Sequence, residues 1–165
     1  MSGTRAGRVG IVVGSRSDIA TAEKAAAVLA ELGVASETRV ISAHRAPDLL
    51  AGFVASANER GIGVFIAIAG LAAHLPGVIA SQTTLPVIGV PMAGGISDGL
   101  DALLAIVQMP KGVPVATVGV GNGENAGLLA AQILALGDAE LAGRVAAGRA
   151  EQARAIADDP ANEGL

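Results

Sequence analysis

Three short segments hold the side chains with which this sequence could grip a phosphate and move a proton. The first, Gly14-Ser15-Arg16-Ser17-Asp18, leaves a β-branched run and opens an alanine-rich helical stretch. Free backbone N–H groups, two hydroxyls and the positive end of a helix suit a phosphate there. Asp18 would repel that phosphate and is better employed on sugar hydroxyls; in the blander reading, Ser17 or Asp18 only caps the helix. The second, Ser42-Ala43-His44-Arg45-Ala46-Pro47-Asp48, sets a residue that exchanges a proton near neutral pH beside a fixed positive charge. A loop histidine is ordinarily a solvent-facing side chain, but His44 stands next to Arg45 and close to the expected phosphate loop, which favours function. The third, Gly70-Leu71-Ala72-Ala73-His74-Leu75-Pro76-Gly77, is built of small residues that let a substrate approach the backbone. His74 within it is either a second proton donor or a loop anchor.

Two other motifs fail on context. Gly121-Asn122-Gly123-Glu124-Asn125-Ala126 fits G-x-G-x-x-A between a strand and a helix. It follows the last strand, however, so no later strand can offer the acidic ribose ligand of a dinucleotide site. Lys111-Gly112 does not complete G-x-x-x-x-G-K-[ST], so no ATP-binding P-loop is expected. Two isolated histidines with no cysteine make no credible metal site. Neither a metal nor a cofactor is expected.

The elements that must position the three loops alternate along the chain. Strand-like runs are predicted at Arg8–Val13, Glu37–Ile41, Val64–Ala69, Val87–Val90 and Val115–Val120. Between them lie predicted helices at Asp18–Leu32, Pro47 to about Arg60, Pro76–Ser81 and Leu100–Val107. Two more follow the last strand, at Asn125–Leu136 and Ala139–Ala157. Gly33 and Gly61 serve as stops, Pro47 as a first helical residue and Asp138 as an N-cap. Such alternation implies right-handed crossovers and a parallel sheet covered on both faces. The expected class is therefore α/β: a flavodoxin-like three-layer sandwich with a five-stranded parallel sheet in order 2-1-3-4-5, plus an extra C-terminal helix. One domain is expected over residues 1–165, with no repeat or linker. In such sheets ligands sit beyond the carboxyl ends of the strands, at the switch point between strands 1 and 3. The three loops above leave strands 1, 2 and 3. The last helix, about 139–158, has a thin apolar face (Leu141, Val145, Ala153, Ile156) and is predicted to pack on a neighbouring subunit.

Composition narrows the partners. Of 165 residues 52% are hydrophobic and 16% charged, an apolar balance for so small a domain. A membrane span does not explain it, because prolines and glycines break Gly61–Gly99 into apolar runs of four to eight residues. Oligomerisation explains it better. Met1–Gly7 is followed by no apolar stretch of the kind a secretory signal needs, and the absence of cysteine agrees with a reducing cytoplasm. A net charge of −4, no basic run, two Phe and neither Tyr nor Trp argue against nucleic acid. Nine of the eleven basic residues are arginine, suited to forked contacts with phosphate or carboxylate.

With these pieces in hand, the chain resembles the N5-carboxyaminoimidazole ribonucleotide mutases of purine biosynthesis. VGIVVGSRSD, VISAHRAPD, AGLAAHLPG, LPVIGVP and LLAIVQMPKGVPVATVGVG followed by NAGLLAAQILA carry the resemblance, in order, across about residues 9 to 135. SAHR and AAHLPG are the most specific of them. The resemblance implies an isomerase that moves the carboxylate from N5 to C4 of the imidazole ring without ATP, metal or biotin, in a cytoplasmic homo-octamer. It implies His44 as the acid/base, and Ser15, Ser17, Asp18, Ser42 and Arg45 as substrate-binding residues. Gly70, Ala73, His74 and Leu75 would line the pocket and shelter CO2. A related branch carboxylates aminoimidazole ribonucleotide directly and carries Lys after the equivalent of His44; Arg45 and AAHLPG place this chain on the mutase side. Met92–Gly99 and Gly121–Glu124 are the segments that depart from the pattern. The alternative of another class is a non-catalytic flavodoxin-like binding domain, since fold alone licenses no function.

Overall fold

The computed structural model describes residues 7–164. Residues 1–6, most of the segment read above for a secretory signal, and residue 165 lie outside the described residues. Five strands form one parallel sheet: β1 (Arg8–Val13), β2 (Ser36–Val40), β3 (Ile62–Ala69), β4 (Val87–Pro91) and β5 (Ala116–Thr117). Their order is β2-β1-β3-β4-β5, as the alternation of elements predicts. The crossovers are α1 (Ile19–Glu31), α2 (Pro47–Ala55), α3 (Leu75–Ala80) and α4 (Leu100–Val107), followed by α5 (Gly123–Ala135) and α6 (Ala139–Ala157).

The two-residue period of the strands divides the core. Val9, Ile11, Val13, Val64, Ile66, Ile68, Ile88 and Val90 meet α1 and α5 on one face. Val12, Phe65, Ala67 and Val87 meet α2, α3 and α4 on the other. Because both faces are covered, the central strands are near-continuous apolar runs. The pair α1 and α5 approaches backbone to backbone: a Cβ on Gly127 would lie 2.6 Å from the Ala25 carbonyl oxygen. Alanine and glycine on these helices are thus what the closeness requires.

Element ends differ from the sequence reading in two instructive places. The second helix stops at Ala55 rather than near Arg60. Ser56 turns its hydroxyl back to donate to the Phe53 carbonyl, Arg60 Nε donates to that hydroxyl, and Ile62 N bonds Ala57 O. The fifth strand shrinks from the expected Val115–Val120 to two residues. Being an edge, it has one neighbour only, and past Thr117 single bonds from Val118 N to Gly89 O and Gly121 N to Pro91 O replace the ladder. The other boundaries move by one or two residues, and β1, α4 and α6 keep theirs.

The last helix begins where expected, with the Asp138 carboxylate accepting from Leu141 N. Leu141 is buried, Val145 packs beside it, and Arg144 Nε donates to the Leu32 carbonyl at the end of α1. From Ala146 onward the helix is exposed along its whole length. Among the described residues no helix is long and apolar enough to cross a membrane.

Candidate active site

At the carboxyl edge of the sheet, the loops after β1, β2 and β3 meet around a cleft of about 570 Å³. All ten residues singled out from the sequence line it: Ser15, Ser17, Asp18, Ser42, His44, Arg45, Gly70, Ala73, His74 and Leu75. The cause is topological. In the order 2-1-3 the chain leaves β1 toward one face and β3 toward the other, which opens a crevice between their ends.

Ser15 to Asp18 form a tight turn of 3-10 helix ahead of α1. Ser15 caps that turn, its hydroxyl accepting from Ser17 N at 3.4 Å. Ser17 Oγ donates to Asp18 Oδ1 at 3.0 Å. Asp18 makes no side-chain cap on α1. The capping reading named Ser17 or Asp18 and holds for neither: Ser15 caps the turn instead, Ser17 spends its hydroxyl on Asp18, and one oxygen of the Asp18 carboxylate stays available to hydroxyl donors.

The second loop is closed by Ala46 N on Ser42 O, 2.9 Å. Within it the Ser42 hydroxyl accepts from both Arg45 N and Arg45 Nε, each at 3.3 Å. Arg45 Nη2 reaches back to the Gly14 carbonyl at 3.4 Å, which lays the guanidinium along the end of β1. Among the described residues no carboxylate pairs with it. Its charge thus faces the cleft held by neutral oxygens, the state in which an anionic substrate gains most from it.

The third loop is the most constrained. Leu71 and Ala73 have φ of 56° and 29°, left-handed values that a side chain tolerates poorly. Ala73 N bonds Gly70 O, Ala73 is buried, and His74 stands immediately before α3. The result is a contact between loops: His44 Nε2 and His74 Nδ1 are hydrogen-bonded at 2.8 Å, ring edge to ring face at 85°. Around it Ala69, Leu71, Ala72, Ala73 and Leu75 supply an apolar wall.

Sequence reasoning missed Met92 and Ala93, which reach the cleft from the end of β4. The signal was present: they too leave the carboxyl end of a strand, beside Gly94 and Gly95. Both glycines have positive φ, and Asp98 accepts from Gly94 N to shape the turn. Among the described residues no group of three or more histidines and carboxylates gathers as a metal site.

Residues 8–155 match the family model described as AIR carboxylase. The chain belongs to the AIR carboxylase family. Relatives within it include the N5-carboxyaminoimidazole ribonucleotide mutase of Vibrio cholerae, 52% identical over 154 residues that cover 92% of this chain and 96% of that protein. The mutase of the same name from Mycobacterium tuberculosis is 54% identical over 140 residues, covering 85% and 80%. The fold of this AIR carboxylase family member superposes on the crystal structure of Treponema denticola PurE. The TM-score is 0.85 at 28% identity, over 96% of this chain and 99% of that one.

Proposed function

We propose that this chain is an N5-carboxyaminoimidazole ribonucleotide mutase of de novo purine biosynthesis, an isomerase with His44 as its acid/base. The observation that carries the reading is the meeting of His44, an uncompensated Arg45 and the Gly14–Asp18 turn in one cleft. The chain's half-identity to proteins of that name across most of their length supports it. The phosphate of the ribonucleotide is held by the N–H groups and hydroxyls of Ser15 and Ser17, with Asp18 on the ribose hydroxyls. Ser42 and Arg45 complete the grip. His44 protonates N5 as the N5–carboxyl bond breaks, the bonding pair staying on nitrogen and CO2 departing. CO2 remains against Gly70, Ala73 and Leu75, beside His74, sheltered from water once the bound substrate fills the cleft. C4 then attacks it, a C–C bond forms, and His44 removes the C4 proton to restore the aromatic ring. Protons balance, and the cycle leaves His44 as it began.

The deciding experiment is isotopic. Unlabelled carbamate substrate turned over in labelled bicarbonate, without ATP, should give a C4 carboxylate that is mostly unlabelled early in turnover. Full equilibration of label would make the protein a direct aminoimidazole ribonucleotide carboxylase instead.

The working protein in this reading is a cytoplasmic homo-oligomer of eight subunits. Support comes from apolar side chains left bare: Ile96 is 100% exposed, and Leu100, Leu104 and Val107 make an exposed stripe along α4. The mostly bare α6 adds a second surface. Light scattering at micromolar concentration should show an assembly larger than a dimer; a monomer overturns the reading.

A further inference from the structure

We propose that His74 is a positioning residue, fixing the tautomer and ring orientation of His44 through the bond between the two imidazoles. The proposal rests on His44 being the acid/base only for its catalytic consequence; the geometric part stands by itself.

A loop anchor would bond the backbone of its own loop. The His74 ring instead crosses to a loop thirty positions earlier in the chain, and its Nδ1 lies 2.8 Å from His44 Nε2. Among the described residues neither ring has any other hydrogen-bonding partner, so each is the other's only polar constraint. A neutral imidazole carries one N–H and one bare nitrogen. Two such rings can bond only if one donates and the other accepts, so the tautomer of either dictates that of its partner.

Both rings are exposed, and water competes for this bond. What secures it is the backbone. His74 is delivered by the left-handed Leu71 and Ala73 and by a buried Ala73, and its carbonyl starts α3 by accepting from Val78 N. Strained residues of this kind persist only where the surroundings over-determine them. Here the turn they make aims one ring nitrogen at His44. The loop after β2 is closed by backbone and by Ser42 and Arg45, but none of those bonds reaches the His44 ring, whose one polar partner among the described residues is His74. The proton that leaves His44 and later returns therefore does so from a ring whose orientation is set from β3, not from its own loop.

The chain has two histidines, so a 15N-histidine spectrum of the full-length protein contains two imidazoles only. In the wild type we expect one tautomer per ring and a 15N–15N coupling across the N–H···N bond. His74→Phe keeps the ring volume and should average the His44 tautomers. It should also lower kcat about 10- to 100-fold, a fraction of what general acid–base catalysis supplies, with KM little changed. His74→Asn, whose side chain places a polar atom near the lost Nδ1, should restore most of both the spectrum and kcat. A wild-type spectrum in which both rings average between tautomers sinks the proposal without any variant. So does a His74→Phe protein whose His44 signals or kcat match the wild type, or one whose loss falls on KM. Should the wild type show no mutase turnover at all, the functional reading fails, while the spectra still decide whether His74 orders His44.

Discussion

Two groups of arginines in this protein have opposite fates. Arg8, Arg39 and Arg60 converge on the single carboxylate of Glu37. Arg60 Nη1 is 2.8 Å from one carboxylate oxygen, Arg39 bonds the same oxygen, and Arg8 lies 3.7 Å from the other. Arg60 also bonds Ser56 Oγ and rests over the Phe53 ring at 5.4 Å. This cluster joins the start of β1, the edge strand β2 and the turn after α2. Arg45, by contrast, meets among the described residues only a hydroxyl and a carbonyl, at 3.3–3.4 Å. At Glu37 the chain surrounds a carboxylate with guanidinium groups; in the cleft it leaves the Arg45 charge unmatched, as the proposed function requires for an anionic substrate. The difference teaches that arginines alike in sequence differ in whether their charge is already satisfied, and on that difference the proposed role of Arg45 rests.

The contrast is tested most severely beside Arg45. His44→Asn should lower kcat at least about 100-fold, the lower bound for a lost acid/base, while folding and substrate binding stay near wild type. Steady-state kinetics with a thermal melt measures both, and wild-type turnover would move the acid/base role elsewhere. Arg45→Ala should weaken substrate binding by about 2 kcal/mol, the scale of a lost charge-assisted contact, and leave Tm almost unchanged. Calorimetry that finds intact affinity and a lower Tm would make Arg45 a brace like the other three.

Glu37→Ala should do the reverse. Its side chain is 11% exposed, and its removal strips the cluster of its centre. The three arginines are 39–49% exposed and regain water, so the loss should be only about 1–2 kcal/mol of stability, with KM unchanged. Denaturant melts and kinetics on the same sample check it; a raised KM would mean the cluster reaches the site. Arg39→Ala should cost least, within about 0.5 kcal/mol, because an exposed ion pair contributes little.

Much of this was legible in the residues. The β-branched run Arg8–Val13 and the continuous apolar run Val64–Ala69 read as strands, the second as one buried on both faces. Apolar residues at three- and four-residue spacing marked a helix over Asp18–Leu32, which the structure trims to Ile19–Glu31. From that alternation the strand order followed, and from the strand order the meeting of three loops at one edge. Local chemistry plus topology therefore placed Ser15, Arg45 and His44 at one edge, where they line the cleft. Helix ends were less legible: Ser56 halted α2 by bonding its own backbone, a choice that propensity does not record.

What the amino-acid sequence determined alone was which segments would be strands, helices and loops, because these depend on residues a few positions apart. What only tertiary structure decided was which side chains touch. His44 and His74 are bonded because two crossovers on one face of the sheet bring their loops together and because Leu71 and Ala73 bend left-handed. Met92 joins the cleft because β4 pairs with β3 and ends beside it. Arg60 is paired and Arg45 is not, because Glu37 faces the turn after α2 while, among the described residues, no carboxylate is brought to the Gly14 carbonyl where Arg45 lies. Such contacts span tens of residues, and their geometry is settled by how whole layers pack, which no local pattern of residues encodes.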